Sequence, residues 1–130
     1  TPGLRVYSAV DISGFKELLR TETWDNEGHS AASTLNGALP RGQWNFVVIT
    51  VDRRHDAQRV YVNGRDVTRT DHLGHRQFVS KGPVLLGAYT TDNEKDRWRD
   101  LDGALDDVRI YRGHLRAKEI EKISNPSPIR

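Results

Sequence analysis

The residues of this chain that could do chemistry are few and widely spaced. The stretch from Leu101 to Leu115 (LDGALDDVRIYRGHL) carries two adjacent carboxylates, Asp106 and Asp107, at the head of an apolar run. If the run from Ala104 to Tyr111 is a strand, alternation sends the two carboxylates to opposite faces. Period two groups Asp106 with Val108 and Ile110, which makes Asp106 the inward one. An unpaired buried charge is costly, so Asp106 needs a partner: backbone N–H groups, an arginine or a metal ion. His72 and His75 have a spacing that serves a transition metal only with a third ligand. Solvated loop histidines are the commoner case. Asp92, Asn93, Asp96, Asp100 and Asp102 form an oxygen-rich cluster, which reads first as a solvated loop. The chain has no Cys, so it offers neither a thiolate nor a disulfide. No Ser–His pairing signal is present.

The aromatic residues give a second line of chemistry. Trp24 lies in TETWDNEGHS and Trp98 in DRWRD, each among polar neighbours. Aromatic side chains with one wet flank are suited to recognition surfaces. A pyranose ring can stack on such a face while nearby carboxylates and amides bind its hydroxyls. On that reading Trp24, Trp98, Tyr89, Asp96 and Asn93 are the carbohydrate contacts. The competing reading packs each Trp against a neighbouring loop with its N–H bonded. Arg53, Arg54, Arg59, Arg65 and Arg69 flank a hairpin and would suit an acidic glycan, although a solvated hairpin is the plainer account.

These residues need a scaffold, and 130 residues make a single domain, 1–130, with a tail over 124–130. Against 18 Asp+Glu stand 20 Lys+Arg, a net charge of +2 that is too small to argue for nucleic acid. No apolar run approaches the roughly 18 residues of a membrane helix, and the chain shows no signal peptide.

The clearest strand is Trp44 to Asp52 (WNFVVITVD), dense in aromatic and β-branched residues. Both faces are apolar, which predicts a central strand covered on both sides with Trp44 in the core. Arg53 to Ala57 is a hairpin tip and Arg59 to Val62 the partner strand. Asn63-Gly64 then makes a two-residue turn. Leu4 to Val10, Phe15 to Arg20, Ala31 to Leu35 and Val84 to Ala88 read as further strands, Thr21 to Ser30 and Thr90 to Asp100 as loops. Leu115, Ile120 and Ile123 share one face of a helix of about two turns. Eight or so short strands and one terminal helix predict an all-β antiparallel sandwich.

Four pieces in order sharpen this. They are Gly42-Gln43-Trp44 with Val47 and Asp52; Val60 to Gly64; Leu86-Gly87-Ala88; and Asp102-Gly103 with Asp106 to Tyr111, Leu115 and Glu119-Ile120. Together they resemble the laminin-G-like, concanavalin-A-like jelly-roll domains of bacterial secreted proteins, over about Arg41 to Ile123. The resemblance implies an antiparallel jelly-roll β-sandwich with a short C-terminal helix. It implies a non-catalytic, lectin-like recognition module of a larger protein at an extracellular, periplasmic or cell-surface location. Its ligand would be a carbohydrate or another protein chain, with no nucleic acid and no membrane insertion. Domains of this kind are usually longer, and Thr1 to Leu39 matches loosely. Either the chain is a compact variant, or amino-terminal strands are missing or supplied by another segment; missing strands would leave a sheet edge exposed, which would favour a homodimer or a partner chain.

β-Glucanases with this sandwich place acid and nucleophile on a Glu-x-Asp-x-x-Glu strand. Here Glu94-Lys95-Asp96 begins that pattern, but Arg99 stands where the second Glu belongs, and Asp25-Asn26-Glu27 fails the spacing. In the same relatives an Asp opening the last strand helps bind structural calcium. The resemblance puts Asp106 at that place, where Ca2+ would need six to eight oxygens.

Overall fold

The computed structural model describes residues 3–9, 18–25, 28–35, 37–70, 86–87, 89–90, 97–98, 101 and 103–124. Among them the chain forms nine strands and one helix: β1 (Gly3–Ala9), β2 (Leu18–Asp25), β3 (Gly28–Thr34), β4 (Val47–Asp52), β5 (Ala57–Val62), β6 (Arg65–Asp66), β7 (Thr68–Thr70), β8 (Tyr89–Thr90), β9 (Arg97–Trp98) and α1 (Ala117–Ser124). All pairings are antiparallel. Three sheets result, ordered β1-β2-β3-β7, β4-β5-β6 and β8-β9. This is the expected all-β architecture with a short C-terminal helix.

The β4–β5 hairpin sorts its residues into two faces by period two. Val47 lies opposite Val62, Ile49 opposite Val60 and Val51 opposite Gln58. Val60, Val62 and Gln58 are buried, and Leu39, Ile49 and Val67 pack around the two valines. The other face carries Val48 opposite Tyr61, Thr50 opposite Arg59 and Asp52 opposite Ala57. Asn63 and Gly64 close the next turn with φ of 52° and 84°, the left-handed pair that a two-residue hairpin demands. Asn63 also fastens the approach to β4. It accepts from the Phe46 N–H through Oδ1 at 2.9 Å and donates its own N–H to the Phe46 carbonyl at 2.8 Å.

At Val67 the chain passes from one sheet to the other. Its N–H donates to the Val60 carbonyl in β5 (3.0 Å), and its carbonyl accepts from the Leu35 N–H just beyond β3 (2.9 Å). Deeper in, the Thr21 hydroxyl of β2 donates to Gln58 Oε1 of β5 at 2.9 Å, with both residues fully buried. A polar pair can occupy a dry interior only when its hydrogen bond is made.

Helix α1 starts because Glu119 reaches back to accept the Arg116 N–H at 2.6 Å, one half of a capping box. Its apolar side buries Ile120 completely, with Leu115 and Ile123 half-buried beside it.

Several expectations change. Thr21 to Ser30 is not a loop: β2 runs to Asp25 and β3 begins at Gly28. The Thr-Glu-Thr-Trp alternation has strand propensity that outweighs its polarity. Part of the loop expected over 90–100 is strand β9. Trp44 is not in the core but 69% exposed, because β4 begins only at Val47. Strand β4 is not central either: it stands at the edge of its described sheet, ordered β4-β5-β6, with its residues half-buried on both faces apart from the exposed Val47. The strand expected over 104–111 is absent, and Val108 and Ile110 are exposed. Asp107 adopts φ of 51°, incompatible with a strand, and its carboxylate grips Arg109 two residues on through two bonds of 2.7 Å. That pairing holds the Arg109 guanidinium above its ordinary range. Val10, Phe15 to Glu17, and all of Val84 to Ala88 except Leu86 and Gly87, lie outside the described residues.

Thr21→Val should destabilise the fold by about 1–3 kcal/mol, the cost of withdrawing one partner from a buried polar group. Gln58→Leu should cost a similar amount, and the double variant less than the sum. Urea denaturation of the four proteins checks this. Ile120→Ala should cost about 2–5 kcal/mol in the same assay.

Candidate functional site

The outward face of the β4–β5 hairpin does not lie open to solvent. The segment from His114 to Ala117, leading into α1, crosses it and leaves a cleft of about 340 Å3. Thr50 and Asp52 line it from β4, Arg59 and Tyr61 from β5, His55 from the hairpin tip, and His114 and Arg116 from the crossing segment. Alternation explains the strand residues, since the even positions of β4 and the odd positions of β5 share this face.

Asp52 is the hub. Oδ1 accepts the backbone N–H groups of Arg54 (3.0 Å) and His55 (3.3 Å), which shapes the tip as an Asx turn. Oδ2 lies 2.7 Å from His55 Nδ1 and 3.7 Å from His114 Nε2. Asp56 completes the tip at φ of 53°. The bond to His55 holds the Asp52 carboxyl below its ordinary range, against the opposing pull of desolvation. Asp52 is therefore an anion at neutral pH, with donors on both oxygens.

Arg59 is committed elsewhere. Its Nη1 lies 3.1 Å from Asp66 Oδ2. Partial burial would raise the Asp66 carboxyl, but bonds from the Thr68 N–H (3.0 Å) and hydroxyl (2.7 Å), with Arg59 beside it, bring it below the usual range. Tyr61 is 7% exposed, and burial followed by the charge of Asp66 pushes its phenol up. It stays a neutral hydroxyl, able to donate and accept. The Arg116 guanidinium has no partner among the described residues, while its backbone N–H serves the helix cap.

This cleft was not anticipated from the sequence. A partial signal existed in Asp52 followed three residues later by His55, the pattern of a side-chain-capped tip. Nothing pointed to His114, brought in from the far end of the chain.

Of the expected carbohydrate contacts, Tyr89 and Trp98 are brought together as directly opposed positions of the β8–β9 ribbon. Trp24 lies elsewhere, in β2, opposite Gly3 in β1 and His29 in β3. Asn93 and Asp96 lie outside the described residues, as do His72, His75, Asp92, Asp100 and Asp102. Asp106 is exposed rather than inward, because the strand that would have turned it inward is absent, and its Oδ1 accepts the Asp107 N–H at 2.8 Å. No group of three His, Asp or Glu among the described residues could hold a metal ion. No helix among them is long and apolar enough to cross a membrane.

Antiparallel sheets followed by one short C-terminal helix define the class of fold. Residues 5–121 match the laminin G 3 family model, described as the concanavalin A-like lectin/glucanases superfamily. The chain belongs to this family, and the match takes in strands β2 and β3 and most of β1. A search of curated protein sequences finds no significant relative. Among solved structures, the chain is similar to an S-layer domain-containing protein from Clostridium thermocellum, at 19% identity and a TM-score of 0.51. The likeness covers 96% of this chain but 64% of that one, so the chain spans less than two thirds of its neighbour.

The geometry of Asp52 generates a pH prediction. Its folded-state carboxyl lies below the ordinary 3.8. The stabilisation it gives is present above that value and lost as pH falls through the folded one. Between pH 5 and pH 2.5 the melting temperature of the native chain should fall more steeply than that of Asp52→Asn. Asp66 titrates in both proteins, so the difference in slope reports Asp52 alone.

Proposed function

We propose that this domain is a non-catalytic carbohydrate-recognition module of a larger extracellular or cell-surface protein. The cleft at Asp52 is the observation that carries this reading. Its volume is at the lower end of small-molecule sites, enough for one or two sugar residues. Sugar hydroxyls are both donors and acceptors, and the cleft offers both kinds: Asp52 accepts, Arg116 and the imidazoles donate, and Thr50 and Tyr61 do either. Membership of a lectin and glucanase superfamily supports the ligand class. The S-layer name of the structural neighbour supports the surface location. Among the described residues Asp52 is the one carboxylate lining the cleft, whereas glycoside hydrolysis draws on two flanking the scissile bond. This favours recognition over cleavage. Tyr89 and Trp98, opposed across their ribbon, are a second place for sugar contact.

A second reading rests on its own observation. Leu105, Val108, Ile110 and Tyr111 are exposed within one short segment, and apolar surface of that kind suits contact with another protein chain or a second copy.

A glycan array followed by calorimetry tests the first reading. The chain should bind at least one glycan class. Asp52→Ala should weaken that binding about 10–100-fold, the worth of one charged hydrogen bond. Trp98→Ala should weaken it as well if the ribbon contributes. Failure to bind any glycan, together with a stable dimer in light scattering, would replace the first reading with the second.

A further inference from the structure

The charge distribution in the cleft is lopsided. Among the described residues its one carboxylate is Asp52, which already has donors on both oxygens. Its cationic and imidazole groups among them are four: His55 at the tip, Arg59 on β5, and His114 and Arg116 on the crossing segment. Arg59 has its counter-charge in Asp66 of β6. Arg116 has none among the described residues, and Glu119 of α1 binds its backbone rather than its guanidinium. A neutral sugar would leave this cation unanswered.

We propose that the cleft selects a saccharide bearing an anionic substituent, a carboxylate or a sulfate, held by Arg116 and His114. The proposal rests on the carbohydrate reading above and narrows it. A guanidinium presents a planar fork that matches a carboxylate or sulfate with two parallel N–H bonds. His114 stands two residues before Arg116 and also lines the cleft, so it can supply a second donor. Asp52 remains the acceptor for a ring hydroxyl and keeps the imidazoles in place.

Calorimetry of the full chain with three probes decides the matter: a uronic-acid oligosaccharide, the same oligosaccharide with its carboxyls reduced to alcohols, and a sulfated oligosaccharide. The uronate or the sulfated probe should bind at least about 10-fold tighter than the reduced one, a difference of about 1.4 kcal/mol. Which of the two does so identifies the anion. Arg116→Ala should abolish the preference and Arg116→Lys retain part of it, with melting temperatures near that of the native chain for both. His114→Ala should reduce the preference for the charged probe. Equal affinity for the charged and reduced probes would overturn this inference and leave the carbohydrate reading standing. Failure to bind any of a broad glycan set would overturn both.

Discussion

The hydrogen bond between Thr21 and Gln58 is the constraint on which the remaining geometry depends. It crosses from the four-stranded to the three-stranded sheet with both residues fully buried. In a purely apolar interface, β5 could slide against its neighbours at modest cost. A buried amide cannot, because its partner stands at one place only. Gln58 on the inner face also fixes Val60 and Val62 there, two and four positions on. A slip of one residue would bring Arg59 inside and turn Gln58 and Val60 out to solvent. With the inner face fixed, Thr50, Asp52, Arg59 and Tyr61 must face the other way. The cleft is thus the reverse side of the core.

The helix supplies the second wall by similar logic. Ile120 is the one α1 residue fully removed from water, so it anchors the helix. Leu115, half-buried and lining the cleft, holds the segment before it. His114 and Arg116 flank Leu115 and reach the cleft as a consequence. Their placement comes from apolar anchoring on either side and not from their own charges, since the His114–Asp52 separation of 3.7 Å is a loose contact. An exposed pair at such a distance contributes little to stability.

What the sequence made legible follows the strength of local signals. The hairpin β4–β5, the Asn63-Gly64 turn and helix α1 were all readable, because alternation, positive φ and period-3.6 burial are properties of neighbouring residues. Trp44 was misplaced because strand propensity alone does not say where pairing begins, and β4 pairs only from Val47. The segment over 104–111 was misread for a related reason. Its Val and Ile alternation is strand-like, but Asp107 binds Arg109 instead and turns the backbone. Of the candidate site, the Asp52–His55 tip was local and therefore readable in principle. The arrival of His114 and Arg116 depended on which face of the hairpin stayed free, a tertiary outcome. The opposition of Tyr89 and Trp98 likewise needed a register that spacing alone does not give.

The family fold is shared by lectins and glucanases and does not by itself choose between them. The state of Asp52 bears on the choice. A general acid at a glycosidic oxygen must hold a proton near neutral pH, which requires a carboxyl raised by burial or a like charge. Asp52 has the opposite environment: two backbone N–H donors, a bonded imidazole and a second imidazole nearby, all favouring the ionised form. Oδ1 is taken by the two N–H groups of the turn, while Oδ2, bonded to His55 at 2.7 Å, keeps acceptor capacity for a further donor. Thr50, across the ladder from Arg59, adds a hydroxyl but no base. Such a carboxylate is built to stay charged, stay in place and accept hydrogen bonds. In the recognition reading proposed above, these properties make Asp52 a group that orients a ligand rather than one that supplies a proton.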